Sequence, residues 1–459
     1  MRRTPPGDES AVAESIARPV PHGLSRLVEH NAAGGANNGV VPDDPALPER
    51  WSTTENVLWK TDIPGRGWSS PVVWGDHVFV VSAVDAAKPV DTFRPVPEYI
   101  ARSLGGTMTG NDVNDKLAEH RWVVFDLDAR TGAVRWERVL HTGVPAQSVH
   151  QKNSLATETP VTDGERLYVY LSYAGLYAVN FDGTVAWSKP MEVKPVRQGW
   201  GGAGSPALHD GRLYIVNDND SGSFLAAYEA RTGNELWRVA RDEASSWSTP
   251  FIWQNSLRTE IVTTASKKVR SYGTDGKLLW ELAGMTSIHA ATPIAAAGML
   301  YVSSGYPADP VRPVYAIRPG ATGDITLPRD QRTNDYVVWS QPTLAGSYPS
   351  GLVVGDTYYM LLDRGIFTAT NARTGQEVYG RQRISTDGGM FSASPWAYNG
   401  RIFTLNEDGT TYVLQAGGEF KVIGKNPLDE FTLATPAIAH GSLFIRTQSK
   451  LYCLRNPGS

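Results

Sequence analysis

The chain contains a single cysteine, Cys453, which excludes an intramolecular disulfide and any zinc site built on several cysteines. Its place in the alternating stretch Leu451-Tyr-Cys-Leu454 suits a buried core thiol. No apolar run is long enough to span a membrane, and no signal-type apolar stretch follows Met1-Arg-Arg3, so the chain as written reads as cytoplasmic or as one whose export signal has been lost or removed. Charge of one sign is missing too. The 43 basic residues stand against 47 acidic ones with no basic cluster, which argues against nucleic acid as a partner. The common catalytic signatures H-E-x-x-H, G-x-S-x-G and the Walker lysine loop do not occur. Gly199-Trp-Gly-Gly-Ala-Gly204 fits G-x-G-x-x-G, but it leads into a proline and a strand and opens no helix. Asn217-Asp-Asn-Asp-Ser-Gly222 resembles a calcium loop until the last ligand, where Tyr228 replaces the glutamate; it reads as a polar turn. No metal ligand set is assigned.

What is abundant is glycine and aromatics, with 45 Gly, 14 Trp and 19 Tyr. Glycine is followed four residues later by tryptophan at Gly132/Trp136, Gly183/Trp187, Gly233/Trp237 and Gly276/Trp280, with a tyrosine copy at Gly375/Tyr379. The turns that carry them, such as Asp128-Ala-Arg-Thr-Gly132, have the side chains and the glycine that a tight hairpin needs. The aromatic then lies on the departing strand, where a large flat residue fills the gap to a neighbouring sheet. Such a unit, repeated along the chain, marks a repeat architecture.

A second marker sets the count. A small residue and a proline open a short apolar strand at Ser70-Pro71, Thr159-Pro160, Ser205-Pro206, Thr249-Pro250, Thr292-Pro293, Ser394-Pro395 and Thr435-Pro436, with a shifted copy at Tyr348-Pro349-Ser350. Each unit reads as four short antiparallel strands, A to D, the blade of a β-propeller. The expected fold is all-β: an eight-bladed β-propeller. The last unit supplies only three strands, and Asn56-Val-Leu-Trp-Lys60 supplies the fourth, closing the ring without open edges. Residues 1–50, rich in Pro, Ala, Gly and Asp, read as a poorly structured arm, and 51–459 as one propeller domain. Deleting residues 1–45 is therefore expected to leave the ring intact.

The repeat around Asp128-Ala-Arg-Thr-Gly-Ala-Val-Arg-Trp136 resembles the tryptophan-docking motif of the pyrroloquinoline quinone (PQQ) repeat propellers. That family includes quinoprotein alcohol dehydrogenases and the non-catalytic outer-membrane assembly factor B. The resemblance covers residues 51–455 and implies the fold; its members are often secreted or periplasmic. It also raises PQQ with calcium as a cofactor. Against this, the lone cysteine cannot form the adjacent-cysteine disulfide of the dehydrogenases, and no residue-by-residue match to their calcium and quinone ligands exists, so none is carried over.

Propeller topology puts the D–A connections and B–C turns on one face, around the central funnel. The connections bring Trp68, His150, Lys152, Asn153, Trp200, Trp247, His289, Tyr348, Phe391 and Phe431 to that face. The turns bring Asp218, Asp220, Lys267, Arg312, Asp363, Arg364, Glu407 and Gln448. Aromatic walls with convergent polar groups are how a small-molecule site is built, so a small molecule, glycan or protein in the funnel is the leading expectation. Packing between blades is the competing role for the tryptophans. The alternative function is an enzyme, either a PQQ-dependent dehydrogenase or a cofactor-free lyase or hydrolase. It would use His150, His289, Lys152 and Tyr348 as acid–base groups. The first unit, Pro71 to Pro160, is roughly twice as long as the others, and its excess at about 85–120 lies between strands B and C. Short helices at 97–104 and 111–120 are expected there, as a lid over the funnel or as a packing decoration.

Overall fold

The computed structural model describes residues 39–88, 113–114, 118–386 and 389–458. Eight sheets of four strands, one of them with a fifth, form an eight-bladed propeller. Blade 1 comprises Val72–Trp74, His77–Asp85, His120–Asp128 and Val134–Gly143. Blade 8 comprises Ala437–Ala439, Ser442–Arg446 and Lys450–Leu454, completed by Val57–Asp62 from the start of the chain. Trp59 pairs with Cys453 and Asp62 with Lys450, so the ring closes where the sequence places the closure. Cys453 is fully buried, as its strand position suggests.

The glycine–tryptophan spacing has a physical cause that reaches across blades. Each tryptophan docks on the turn glycine of the following blade. Trp59 covers Gly132, Trp136 covers Gly183, Trp187 covers Gly233, Trp237 covers Gly276 and Trp339 covers Gly375. A Cβ on Gly132 would sit 2.5 Å from the Trp59 ring, so only glycine admits the indole. The indole N–H then donates to a carbonyl of the same turn: Trp59 to Ala129 at 2.9 Å, Trp136 to Phe181 at 2.9 Å and Trp187 to Ala230 at 3.1 Å. On the outer strand of every blade a bulge adjoins the docking position, which twists that strand toward its neighbour. Trp136, Trp187 and Trp237 are only half-buried, because their outer edges face solvent.

Three blades depart from the rule. In blade 6 the outer strand carries Tyr379, which meets Phe420 at 6.0 Å and covers no turn glycine. Trp280 turns inward, donates to Glu260 Oε2 at 2.7 Å and is fully buried. The next blade's C–D connection instead sends Gly323–Asp324 to pair in parallel with Trp280–Glu281, adding the fifth strand of blade 4. In blade 7 Gly424 stands opposite Val413, the row position where other blades carry the aromatic. Trp51 enters that row and stacks on Phe403 at 5.9 Å.

Trp51 arrives on a segment that composition alone reads as unstructured. Val41 N–H donates to Ala397 O and Ala397 N–H to Gly39 O, a parallel pairing on the edge of the blade 7 inner strand that its own B strand leaves unused. Asp44 and Asn399 exchange hydrogen bonds, and Asn456 ties Pro45 and Leu47 to blade 8. Residues 39–51 thus staple blade 7 to blade 8, the blade in which the ring closes. Residues 1–38 lie outside the description. A deletion of residues 1–45 removes part of this staple and is now expected to cost stability.

The second sequence marker is a belt. Its small residue donates a backbone N–H to the hydroxyl of the next blade's marker: Ser70 to Thr159, Thr159 to Ser205, Ser205 to Thr249, Thr292 to Ser350, Ser350 to Ser394 and Ser394 to Thr435, at 2.9–3.2 Å. Serine and threonine recur there because the hydroxyl satisfies a buried donor of the neighbouring blade. In blade 6 Ser350 keeps that role and Gly351 takes the place of proline.

Candidate functional site

The funnel opens on a cavity of about 260 Å³ floored by hydroxyls of the belt, among them Ser70, Ser205, Thr249, Thr292, Ser350, Ser394 and Thr435. Its wall carries Trp68, His150, Lys152, Asn153, Trp200, Trp247, Tyr306, Tyr348 and Ser392. Seven candidates named from sequence therefore share one cavity: Trp68, His150, Lys152, Asn153, Trp200, Trp247 and Tyr348.

The tryptophans are placed by their connections. The chain reaches Trp200 through a short 3-10 turn, Arg197–Gly199, held by Arg197 N–H to Ser245 Oγ at 2.9 Å. Gly199 and Gly201 have φ of +67° and +77°, and a side chain on either would strike Ser148 or the Tyr173 hydroxyl. These glycines of the G-x-G-x-x-G lookalike thus serve close loop packing. Trp247 donates its indole N–H to Gly201 O at 2.6 Å, and the Trp200 and Trp247 rings lie 5.7 Å apart at 38°. His150 meets the other side of Trp200 edge-on at 5.5 Å. Trp68 packs edge-on against Phe431 at 5.4 Å. Asn153 bridges blades by donating to Trp200 O and Gly202 O.

Lys152 and Glu407 pair across the funnel. Lys152 comes from the connection into blade 2 and Glu407 from the B–C turn of blade 7, yet Nζ and Oε1 stand 2.6 Å apart, each side chain 8% exposed. Ser392 Oγ donates to the same Oε1 at 2.6 Å, and the Lys152 ammonium lies 5.9 Å from the Tyr348 ring centre. The loop that presents Lys152 is backed by the long insertion of blade 1, because Val113 pairs with His150 and Asn114 with Val149. That short strand, with His120 opening strand C, replaces the helix expected at 111–120. The helix expected at 97–104, and the lid, lie outside the described residues.

The other candidates face the blades. His289 is fully buried and both its nitrogens are engaged, with Nδ1 3.1 Å from Ser304 Oγ and Nε2 2.7 Å from Ala291 O. It buttresses the connection into blade 5 and has no face on the cavity. Asp218 forms a bidentate pair with Arg241 at 2.8 and 3.0 Å and accepts from Ser246 Oγ, so it is absorbed into the wall between blades 3 and 4. Asp363 accepts Ser347 N–H and Oγ and Tyr348 N–H, fixing the loop that carries Tyr348. Lys267 is tied to Asp242 O, Asp220 accepts from Ser245 Oγ, and Arg312 lies along the connection between blades 5 and 6 through Pro342 O. Arg364 is exposed outside the cavity, and Phe391 is buried against Tyr412.

Burial pushes His150 and His289 down to about 4, with the Lys152 charge adding to the effect at His150, so both rings are neutral at pH 7. The folded values lie below the ordinary 6.5. The unfolded chain therefore takes up protons first, and stability that is full above about pH 6.5 falls as pH drops toward 4. The loss at His289 alone is on the order of 3 kcal/mol. Melting curves between pH 7 and 4 should show this slope, and His289→Gln should reduce it to the part that His150 contributes. An unchanged slope would mean that His289 titrates as in the unfolded chain.

The residues do not fit a calcium–quinone centre. Among the described residues no group of three or more His, Cys, Asp or Glu side chains could hold a metal. The funnel carboxylates are already spent on Lys152, Arg241 and the Ser347 loop. Among the described residues, no helix is long and apolar enough to cross a membrane.

A PQQ-repeat family profile, described as outer membrane protein assembly factor BamB, matches residues 120–378 and again 223–457. The chain belongs to this family. No curated protein matches it. Among solved structures, the quinohemoprotein alcohol dehydrogenase of Comamonas testosteroni is similar at 11% identity, covering 94% of this chain and 83% of that one with a TM-score of 0.57. The quinohemoprotein alcohol dehydrogenase ADHIIG of Pseudomonas putida HK5 is similar at 12% identity, with 88% and 76% coverage and a TM-score of 0.50. BamB of Moraxella catarrhalis is similar at 15% identity, with 74% and 82% coverage and a TM-score of 0.38. At these identities the dehydrogenases show that this PQQ-repeat chain shares their fold, and nothing of their chemistry passes to it.

Proposed function

We propose that this PQQ-repeat propeller is a binding module that takes a small polar molecule bearing a ring into its funnel. The observation that carries the reading is the cavity of about 260 Å³, whose lining brings Trp200, Trp247 and Lys152 together over a floor of hydroxyls, with Lys152 paired to Glu407. Small-molecule sites run from about 300 Å³ upward for drug-sized ligands, so this one suits a single ring. Apolar ring faces for stacking and a few convergent polar groups for orientation are what such sites need. The acid–base reading has less support, since His289 is locked away from the cavity and His150 is held neutral as a weak base.

The test is a small-molecule screen by thermal shift, followed by calorimetric titration of wild type and Trp247→Ala. Trp247 is half-buried and its ring closes the wall. The variant should lose about 10-fold or more in affinity while its melting temperature falls little. A variant that melts early but binds normally would make Trp247 a packing residue and place the site elsewhere.

A further inference from the structure

We infer that the hydroxyl belt at the floor of the funnel holds the carboxylate of a small cyclic acid. This rests on the reading of the funnel as a small-molecule site and names the chemical group by which that site holds its ligand.

The argument starts from a surplus of donors. Seven belt hydroxyls, one from every blade except blade 2, line the cavity, and their residues are at least nine-tenths buried. Five of them, on Ser205, Thr249, Ser350, Ser394 and Thr435, accept a backbone N–H from the preceding blade. That bond occupies a lone pair and leaves the O–H to be given away. None of the five has a hydrogen-bond acceptor for it among the described residues. The other two hydroxyls, on Ser70 and Thr292, make no hydrogen bond at all among the described residues. Ser70 and Thr292 lead blades 1 and 5, which stand opposite each other in the ring, so the belt consists of two arcs that each begin with an unpartnered hydroxyl. No Asp or Glu lines the cavity to take these protons.

A ligand that replaces water on this floor must accept, because a buried donor left unpaired costs more than a paired one contributes. An ammonium group would need the hydroxyl oxygens to turn their lone pairs inward, and the displaced O–H groups would then have nothing to bond. A ketone or amide oxygen offers two lone pairs and leaves most of the donors unmet. A carboxylate brings two oxygens with about four lone-pair sites and no proton of its own to place. The backbone N–H behind each of the five hydroxyls strengthens its O–H as a donor, since chained hydrogen bonds polarise one another. Bonds from such donors to an ionised acceptor are the strong ones. The belt can therefore hold a negative charge while the Lys152–Glu407 pair stays as it is. The remaining lining, which includes Trp247, Ile288 and Tyr306, suits the ring of the acid.

The experiment keeps the ring and changes the group on it. Calorimetric titration with benzoate, benzamide and benzylamine at pH 7 should rank benzoate first in the wild type. Its margin should be on the order of 10–100-fold, the worth of a hydrogen bond to a charged group. Ser70→Ala and Thr292→Val remove hydroxyls on which no backbone N–H depends, so both variants should melt close to the wild type. Each should weaken benzoate by about 10-fold and leave benzamide nearly unchanged. Ser394→Ala also takes the acceptor from the Ser350 N–H, so it should lower the melting temperature together with the affinity. If benzamide or benzylamine binds as tightly as benzoate, or Ser70→Ala and Thr292→Val keep the wild-type affinity for benzoate, the inference fails. If all three compounds fail while another small molecule binds and loses affinity in Trp247→Ala, the carboxylate assignment is wrong and the funnel reading stands. If no small molecule of the screen binds, both fall.

Discussion

A chain lacking residues 51–62 should lose its cooperative melt and aggregate on expression. The deletion removes the strand Val57–Asp62 and with it every backbone bond that completes blade 8. It exposes the edge of Lys450–Leu454 and leaves Gly132 uncovered, because the Trp59 ring and the Trp59–Ala129 and Thr61–Gly132 bonds leave together. The Trp51 stack on Phe403 goes as well. An open ring presents unpaired strand edges, which are templates for association between chains. Thermal unfolding and size-exclusion chromatography of the truncated chain measure this. A truncated protein that melts as the wild type does would mean that the ring closes some other way.

The second large effect is expected at Asp218→Ala. Asp218 and Arg241 are both at 0% side-chain exposure, and Arg241 also donates to Thr263 Oγ1 at 2.7 Å and Tyr272 OH at 3.0 Å. Removing the carboxylate leaves a guanidinium buried beside two neutral oxygens. The expected cost is about 3–5 kcal/mol, read as a fall in melting temperature and urea midpoint. Replacing both partners by apolar residues of similar volume, Asp218→Leu with Arg241→Met, should recover much of the loss. A single variant within 1 kcal/mol of wild type, as an exposed pair would give, would show that Asp218 is solvated and available to a ligand.

The fold was legible because its two signals are local. A turn glycine and the aromatic four residues later lie on one hairpin, and the small residue before each proline sits in one belt. The blade count and the closing strand followed from those positions. Trp339 escaped because the C–D connection of its blade runs from Ile317 to Val337, which removes the four-residue spacing while leaving the docking on Gly375 intact. The staple formed by residues 39–51 escaped because backbone groups make most of it, and composition says nothing about where those groups pair.

For the candidate site, topology gave the face and could not give direction. His289 and His150 occupy equivalent connections, but one ring turns into the blade and the other toward Trp200. Asp218 and Glu407 both sit in B–C turns. One meets Arg241 of its own blade, and the other meets a lysine carried by a connection from the far side of the funnel. Which partner a carboxylate finds depends on side-chain reach across the ring, a quantity with no counterpart in sequence spacing.

The central claim is that the funnel is a binding site, and a crystal structure of the protein soaked in the tightest-binding small molecule of the thermal-shift screen tests it most directly. The expected result is that molecule in the cavity of about 260 Å³, in contact with Trp247 and Lys152. The same molecule bound only in the charged groove between Arg166 and Arg231 on the opposite face, with the funnel empty, would contradict it.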